Sequence, residues 1–198
     1  MKSFGVLLFA APLFFAGYGV IRLFGRADGR YGPGLDWQAA HIVGLIGMAL
    51  FVPAVLGMGR LLPSNALRNS AIAVTLIGLA TTIVQFVADV VFAAQAADKA
   101  EMSRLSNAFS DIPGVRPAFY LVGPPLFFLG LIVLTVLLVR AGRLRWWSPV
   151  LMALSTSAPM ITLDLIPLAG VGMLVSVLPL VGTADKFAAS PPRLRAAG

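Results

Sequence analysis

The chain has 198 residues, of which 59% are hydrophobic and 12% are charged. Soluble globular proteins carry roughly 45–50% apolar and 25% charged residues, so this chain has too few charged side chains to cover a water-exposed surface. The composition excludes an ordinary soluble domain and predicts an integral membrane protein. The chain has no cysteine, which excludes disulfides and thiolate chemistry. Its net charge of +7 does not indicate nucleic-acid binding, because the basic residues are spread over short segments between apolar runs.

In chain order, four apolar runs have the length of about twenty residues that a membrane-spanning helix needs. They are residues 4–21, 38–59, 70–97 and 119–139. The last run, residues 148–182, is too long for one span and contains four prolines, so we expect either one span with a non-helical extension or two short helices that turn near residues 165–170. The expected fold is all-α: a polytopic transmembrane helix bundle with four clear spans plus a proline-broken fifth or sixth.

The polar segments between these runs are too short to form a soluble domain. Residues 1–187 are therefore expected to form a single transmembrane helical domain. The remaining residues, 188–198, include Pro191 and Pro192 and are expected to form a disordered tail.

The charges divide unequally between the two sides of the predicted bundle. Side A, which holds the N-terminus and the loops 60–69 and 140–147, carries six Lys or Arg and no acid. Side B, which holds the loops 22–37 and 98–117, carries six bases and five acids. The positive-inside rule then predicts that side A is cytoplasmic and favours an even number of spans, with five kept open.

The third apolar run carries a stripe of small and polar residues along one helical face. Its polar members include Thr75, Thr82, Gln85 and Asp89, which recur at helical spacing. A polar side chain within a bilayer is costly unless it faces the interior of the bundle, so we expect this stripe to face inward. Asp89 is the acid that lies well inside a continuous apolar run, where desolvation favours the protonated carboxyl group. It is therefore the leading candidate for a proton donor.

Polar and aromatic residues also gather at the side B ends of the other predicted helices, whereas the half of the bundle toward side A is apolar. This asymmetry predicts a pocket that opens toward side B or laterally to lipid. The candidate catalytic acids are Asp89, then Asp164, then Asp36. The candidate substrate-binding residues are Tyr18, Trp37, His41, Gln85, Phe86, Phe92 and Tyr120.

Several catalytic signatures are missing from the sequence. It has no glycine-rich phosphate loop, no H-E-x-x-H motif and no D-D-x-x-D motif to hold magnesium on a diphosphate. We therefore expect no metal and no cofactor. The chemistry that remains is that of a carboxylic acid in an apolar pocket with aromatic neighbours.

The segment Trp37-Gln38-Ala39-Ala40-His41, with Pro12 before it and Leu50-Phe51-Val52-Pro53 after it, resembles a broad group of short bacterial multi-span proteins. Within that group the chain is similar to the bacterial membrane-bound terpene cyclases that close farnesylated indole or cyclodipeptide substrates into rings. The resemblance implies a metal-independent isomerase of terpenoid biosynthesis in the bacterial cytoplasmic membrane. Its partners would be the lipid bilayer and an apolar prenylated small molecule, whose carbocations aromatic rings stabilise.

A non-enzymatic function is the alternative. Asp89 would then be the proton or cation site of a small transporter or channel-like protein, or a structural acid in an assembly partner. In the structural case, Asp89 and Gln85 would form hydrogen bonds between helices. The sequence leaves the substrate, its ring pattern and the oligomeric state open.

Overall fold

The computed structural model describes residues 2–27, 29 and 32–188. Over these residues the chain forms helices α1 (Lys2–Arg26), α2 (Leu35–Arg60), α3 (Ala66–Gln95), α4 (Lys99–Ser110), α5 (Gly123–Arg140), α6 (Trp147–Ile161) and α7 (Ile166–Ala188). A π-helical segment, Arg116–Val122, leads into α5, and a 3₁₀ turn, Leu163–Leu165, joins α6 to α7. The all-α prediction is confirmed. Apart from Ala188, the tail that we expect to be disordered lies outside the described residues.

Five helical stretches are long and apolar enough to cross a membrane, and the chain is an integral membrane protein by this criterion. They are Phe4–Arg26, Leu35–Arg60, Ala66–Gln95, Arg116–Arg140 and Leu163–Val181. Helix α6 is the exception, because its 15 residues extend only about 22 Å at 1.5 Å per residue. A hydrocarbon core is about 30 Å thick, so α6 falls short of a full crossing.

Six helices close into a ring in the order α1, α2, α3, α5, α6 and α7, with α7 packed back against α1. Neighbouring helices run antiparallel. Gly19 near the end of α1, for example, lies against Pro167 at the start of α7, whereas Gly170 lies against Ala16. Helix α4 is outside the ring and packs against the side B end of α3. Fully buried apolar residues such as Met48, Phe127 and Leu134 fill the middle of the ring.

The last apolar run forms a helical hairpin, which is one of the two predicted arrangements, but the predicted position of its turn is wrong. Helix α6 ends at Ile161, and the chain turns over residues 162–165. Pro167 lies in the first turn of α7, where a backbone N–H is not needed for the helix. Gly170 lets α7 approach the backbone of Ala16 closely. Both residues act within a helix instead of breaking it.

Helix α4 occupies most of a segment that we expect to be a loop, residues 98–117. A reciprocal pair of carboxylates caps its start: the Asp98 side chain accepts a hydrogen bond from the Glu101 N–H, and the Glu101 side chain accepts one from the Ala97 N–H. Met102 is the buried residue of this short helix. The spacing Asp-x-x-Glu is the sequence signal that indicates such a helix start.

The stripe of small residues on α3 faces α5, and it allows these two helices to pack closely. A Cβ atom added at Gly78 would overlap the backbone of Phe127, and one added at Gly130 would overlap Thr75. Close approach through small residues is typical of helix packing in membranes. Lipid tails are as apolar as the helix surfaces, so van der Waals packing, and not the hydrophobic effect, favours contact between the helices.

We expect Gly78→Val to destabilise the protein by about 2 kcal/mol or more, because the new side chain must push α5 away from α3. Ala80→Val is the matched control, since Ala80 lies on the same helix and is exposed. Equilibrium unfolding in detergent micelles measures both. Equal stability of the two variants would show that the contact between α3 and α5 at Gly78 is looser than described.

Candidate functional site

Four rings from three helices pack together near side B, and we call them the aromatic cluster: Tyr18, Trp37, His41 and Phe86. The Trp37 and His41 rings are stacked, with their centroids 4.2 Å apart. Tyr18 contacts both His41 and Phe86 edge-on, at centroid distances of 5.4 and 5.1 Å. The cluster fixes the position of the His41 imidazole, which is buried.

The orientation of His41 determines what its second nitrogen can do. His41 Nδ1 lies 2.9 Å from the carbonyl oxygen of Trp37. A carbonyl oxygen only accepts hydrogen bonds, so Nδ1 carries the proton and Nε2 of a neutral imidazole is an acceptor. Nε2 lies 3.9 Å from Oδ2 of Asp89. The acceptor nitrogen of His41 therefore faces the carboxyl group of Asp89.

The Asp89 carboxyl group has no hydrogen bond within the described part of the chain, because 3.9 Å to His41 is too long for one. Its side chain is 21% exposed. It opens into a cavity of about 220 Å³ beneath α4, which we call the acid chamber. The lining residues are Trp37, Asp89, Phe92, Met102, Ser103, Ser106 and Asn107.

A second and larger cavity of about 510 Å³ lies between α5 and α6, and we call it the lateral cleft. Most of its lining is apolar, for example Phe128 and Met160, and Gln85 and Ser157 add polar groups. Tyr120 also lines this cleft. The Tyr120 hydroxyl is buried and lies beside the hydroxyl groups of Ser106 and Ser110 on α4.

Of the three candidate acids, Asp89 is the one that lines either of these two cavities. Asp164 is 45% exposed and accepts hydrogen bonds from Arg22 at 3.0 Å and from Arg26 at 2.6 Å. It ties the end of α1 to the turn between α6 and α7. Asp36 is partly buried in the first turn of α2 and lies against Gly25 of α1.

The structure separates the candidate binding residues into three groups. Trp37 and Phe92 line the acid chamber, and Gln85 and Tyr120 line the lateral cleft. Tyr18, His41 and Phe86 are buried behind the chamber and hold one another in place. Sequence reasoning missed the roof of the chamber, since the residues of α4 were assigned to a loop.

The middle of the ring holds Phe51 and Phe127, which pack edge-on with their centroids 5.2 Å apart. Buried hydroxyl groups are also present, for example those of Thr75, Thr135 and Ser176. The cavity beside them measures about 10 Å³ and has an entirely apolar lining that includes Pro12 and Met58. Among the described residues, no polar side chain lines this small cavity. The cavity therefore offers no polar route from Asp89 toward side A.

No family model, curated protein or solved structure matches this chain. The chemistry of the site is therefore argued from its residues. A carboxyl group without a hydrogen bond, next to an imidazole nitrogen and opening into a chamber with aromatic walls, is able to transfer a proton to an apolar ligand.

We expect the apolar reagent dicyclohexylcarbodiimide to modify Asp89 in the membrane-embedded protein. The reagent reacts with protonated carboxyl groups, and the position of Asp89 within an apolar membrane-spanning helix favours that form over the carboxylate. Peptide mass spectrometry measures the modification, with Asp89→Asn as the negative control and Asp164→Asn as the matched variant that keeps it. Labelling of Asp164 instead of Asp89 would show that the chamber is closed to apolar molecules.

Proposed function

We propose that the protein is a membrane-embedded terpene cyclase that closes a farnesylated substrate of indole or cyclodipeptide type by proton-initiated cyclisation. The observation that carries this proposal is the Asp89 carboxyl group, which makes no hydrogen bond to any described residue and opens into a chamber walled by Trp37 and Phe92. The resemblance of the segment 37–41 and its flanking residues to such cyclases supports the same function.

The proposed reaction needs one proton and returns it. The carboxyl proton of Asp89 adds to the terminal double bond of the prenyl chain, which forms a C–H bond and a tertiary carbocation. The electron pair of the next double bond attacks this cation and closes a ring. Loss of a proton from a neighbouring carbon to the Asp89 carboxylate leaves a new double bond, so the net reaction is an isomerisation. Ring faces such as those of Trp37 and Phe92 stabilise each cation by about 1–2 kcal/mol.

His41 has a positioning role in this proposal. Its Nε2 lone pair lies beside the carboxyl group of Asp89 and is fixed by the hydrogen bond from Nδ1 to Trp37. The aromatic cluster excludes water from this side of the carboxyl group, which protects the cation from capture by water.

A proton-binding site without catalysis is the second candidate function. The observation that favours it is the 3.9 Å separation of His41 Nε2 and Asp89 Oδ2, because His and Asp side chains also form proton relays in transporters. A transporter also needs a path to the opposite side. The small cavity beside Phe51, whose lining is entirely apolar, does not support such a path.

Conversion of a farnesylated indole by the purified protein in lipid vesicles tests the proposal. We expect Asp89→Asn to reduce turnover by at least about 100-fold, since a positioned general acid contributes roughly 10²–10⁴-fold. Asp111→Asn is the matched control, because Asp111 is an exposed partner of Arg116. Mass spectrometry cannot distinguish isomers by mass, so chromatographic retention and NMR identify the cyclised product.

Two results would contradict this assignment. If the wild-type protein leaves the substrate unchanged while a pH-sensitive dye reports proton movement into the vesicles, the transport function replaces the cyclase. If Asp89→Asn is folded and active but Asp164→Asn or Asp36→Asn is inactive, the proton donor is one of those acids.

We also propose that side A faces the cytoplasm of a bacterial cell, on the basis of the uneven distribution of Lys and Arg. The chain has no cysteine, so single cysteines report sidedness directly. We expect a membrane-impermeant maleimide to label Asn107→Cys on α4 in intact cells, and to label Ser64→Cys only after the membrane is permeabilised. Both positions are exposed. The reverse labelling pattern would invert the orientation.

A further inference from the structure

We propose that the lateral cleft binds the neutral, hydrogen-bonding head of the prenylated substrate, and that Tyr120 forms a gate through which the prenyl chain reaches the acid chamber. This inference rests on the proposed function and adds to it a second binding site, a route from the bilayer and a gating residue.

The volumes of the two cavities are the first reason. Small-molecule sites measure roughly 300–1,000 Å³. The acid chamber, at about 220 Å³, is smaller than this range, whereas the lateral cleft, at about 510 Å³, lies within it. A farnesyl chain joined to a heterocyclic head therefore needs more space than the chamber alone provides. A cavity of about 420 Å³ shares Trp37, Met102 and Ser103 with the chamber, but Arg26 and Lys99 also line it, which does not suit an apolar chain. The lateral cleft is larger and has no charged lining residue.

The depth and charge of the lateral cleft indicate what kind of head it accepts. No Asp, Glu, Lys or Arg lines it. Gln85 lies one helical turn from Asp89, about 6 Å farther from side B along α3. A charged phospholipid headgroup stays at the membrane surface, whereas a neutral indole or cyclic dipeptide is able to enter at this depth. The cleft is thus suited to a neutral ligand that lies wholly within the bilayer.

Gln85 supplies the polar contact for such a head. Its side-chain amide has no hydrogen-bond partner among the described residues, although it lies within a membrane-spanning helix. An amide has two N–H donors and one carbonyl acceptor, which complement the amide of a cyclic dipeptide or the N–H of an indole. The threonines of the same helix are different, because Thr75 and Thr82 donate to carbonyl groups of their own helix.

The wall of the lateral cleft is also irregular in its backbone. The π-helical segment ends at Val122, and Pro124 and Pro125 in the first turn of α5 contribute no N–H groups to the helix. Tyr120, Pro124 and Pro125 all line the cleft. Irregular backbone at membrane depth is tolerated where it lines a cavity or is covered by protein, so this wall is consistent with an occupied site.

Tyr120 connects the linings of the two cavities. It lines the lateral cleft, and its hydroxyl lies beside Ser106, which lines the acid chamber. Rotation of this one side chain would join the cleft to the chamber, so that a chain anchored at Gln85 extends its terminal double bond toward Asp89.

Photolabelling tests the binding site without requiring turnover. The reagent is a farnesylated indole with a diazirine on the indole ring, added to protein in phosphatidylcholine vesicles. We expect cross-links to the cleft residues of α5 and α6 that unlabelled farnesylated indole competes away. Ser157→Trp fills the cleft and should reduce labelling at least tenfold, and Gln85→Leu should weaken binding about tenfold.

Leu154→Trp is the matched control, because Leu154 is on the same helix, is 65% exposed and is not among the residues that line the cleft. It should leave labelling unchanged. Labelling outside the cleft, normal labelling of Ser157→Trp, or competition by phospholipid but not by farnesylated indole would each overturn the proposed site. Cleft labelling without any cyclised product would retain the site and reject the cyclase.

The gate is tested separately by kinetics. We expect Tyr120→Trp, whose larger ring obstructs the passage, to lower kcat at least tenfold while cleft labelling is retained. Leu121→Trp is the control, because Leu121 is the next residue, is 62% exposed and lines neither cavity, so it should leave kcat unchanged. A normal kcat in a folded Tyr120→Trp protein would overturn the gating role, and cyclised product from a protein whose cleft is not labelled would overturn the site while leaving the cyclase intact.

Discussion

Within the hydrocarbon of a bilayer, a polar side chain must find a partner in the protein or open into a cavity, and helix α3 shows both outcomes. Thr75, Thr81 and Thr82 donate hydrogen bonds to carbonyl groups of their own helix, so each is satisfied without a neighbour. Gln85 and Asp89 make no such hydrogen bond within the described part of the chain. Each opens into a cavity, and the two cavities are the features on which the functional proposals rest.

The helical period of the sequence shows which face of α3 a residue occupies, but not which neighbouring helix covers it. Gln85 and Asp89 lie on one stripe and one turn apart, and the sequence predicts a single pocket around them. In the structure they line different cavities. Tyr120, from the π-helical segment, lines the cavity of Gln85, and its hydroxyl lies beside Ser106 of the other cavity. That arrangement depends on α5 being the neighbour of α3, which no local pattern indicates.

The sequence also does not indicate which residues that are far apart in the chain contact each other. The apolar runs, the inward stripe of α3 and the hairpin in the last run follow from composition and periodicity. Nothing near Asp164 in the sequence indicates that Arg22 and Arg26, at the end of the neighbouring helix α1, bind it. The sequence predicts a turn at 165–170, whereas Gly170 allows close packing against Ala16. Glycine and proline occur both in turns and in tight contacts between helices. Which of the two applies depends on the helix packed against them, and the local sequence does not show that helix.

The short helix α6 has a consequence for the lipid around the protein. Its neighbours span the full hydrocarbon thickness, whereas α6 extends only about 22 Å. A bilayer accommodates a short hydrophobic element by thinning locally, at a cost of fractions of a kcal/mol per Å of mismatch. We therefore expect the bilayer to be thinner beside α6, next to the opening between α5 and α6. A long isoprenoid would exchange with the surrounding lipid most easily at such a thinned patch.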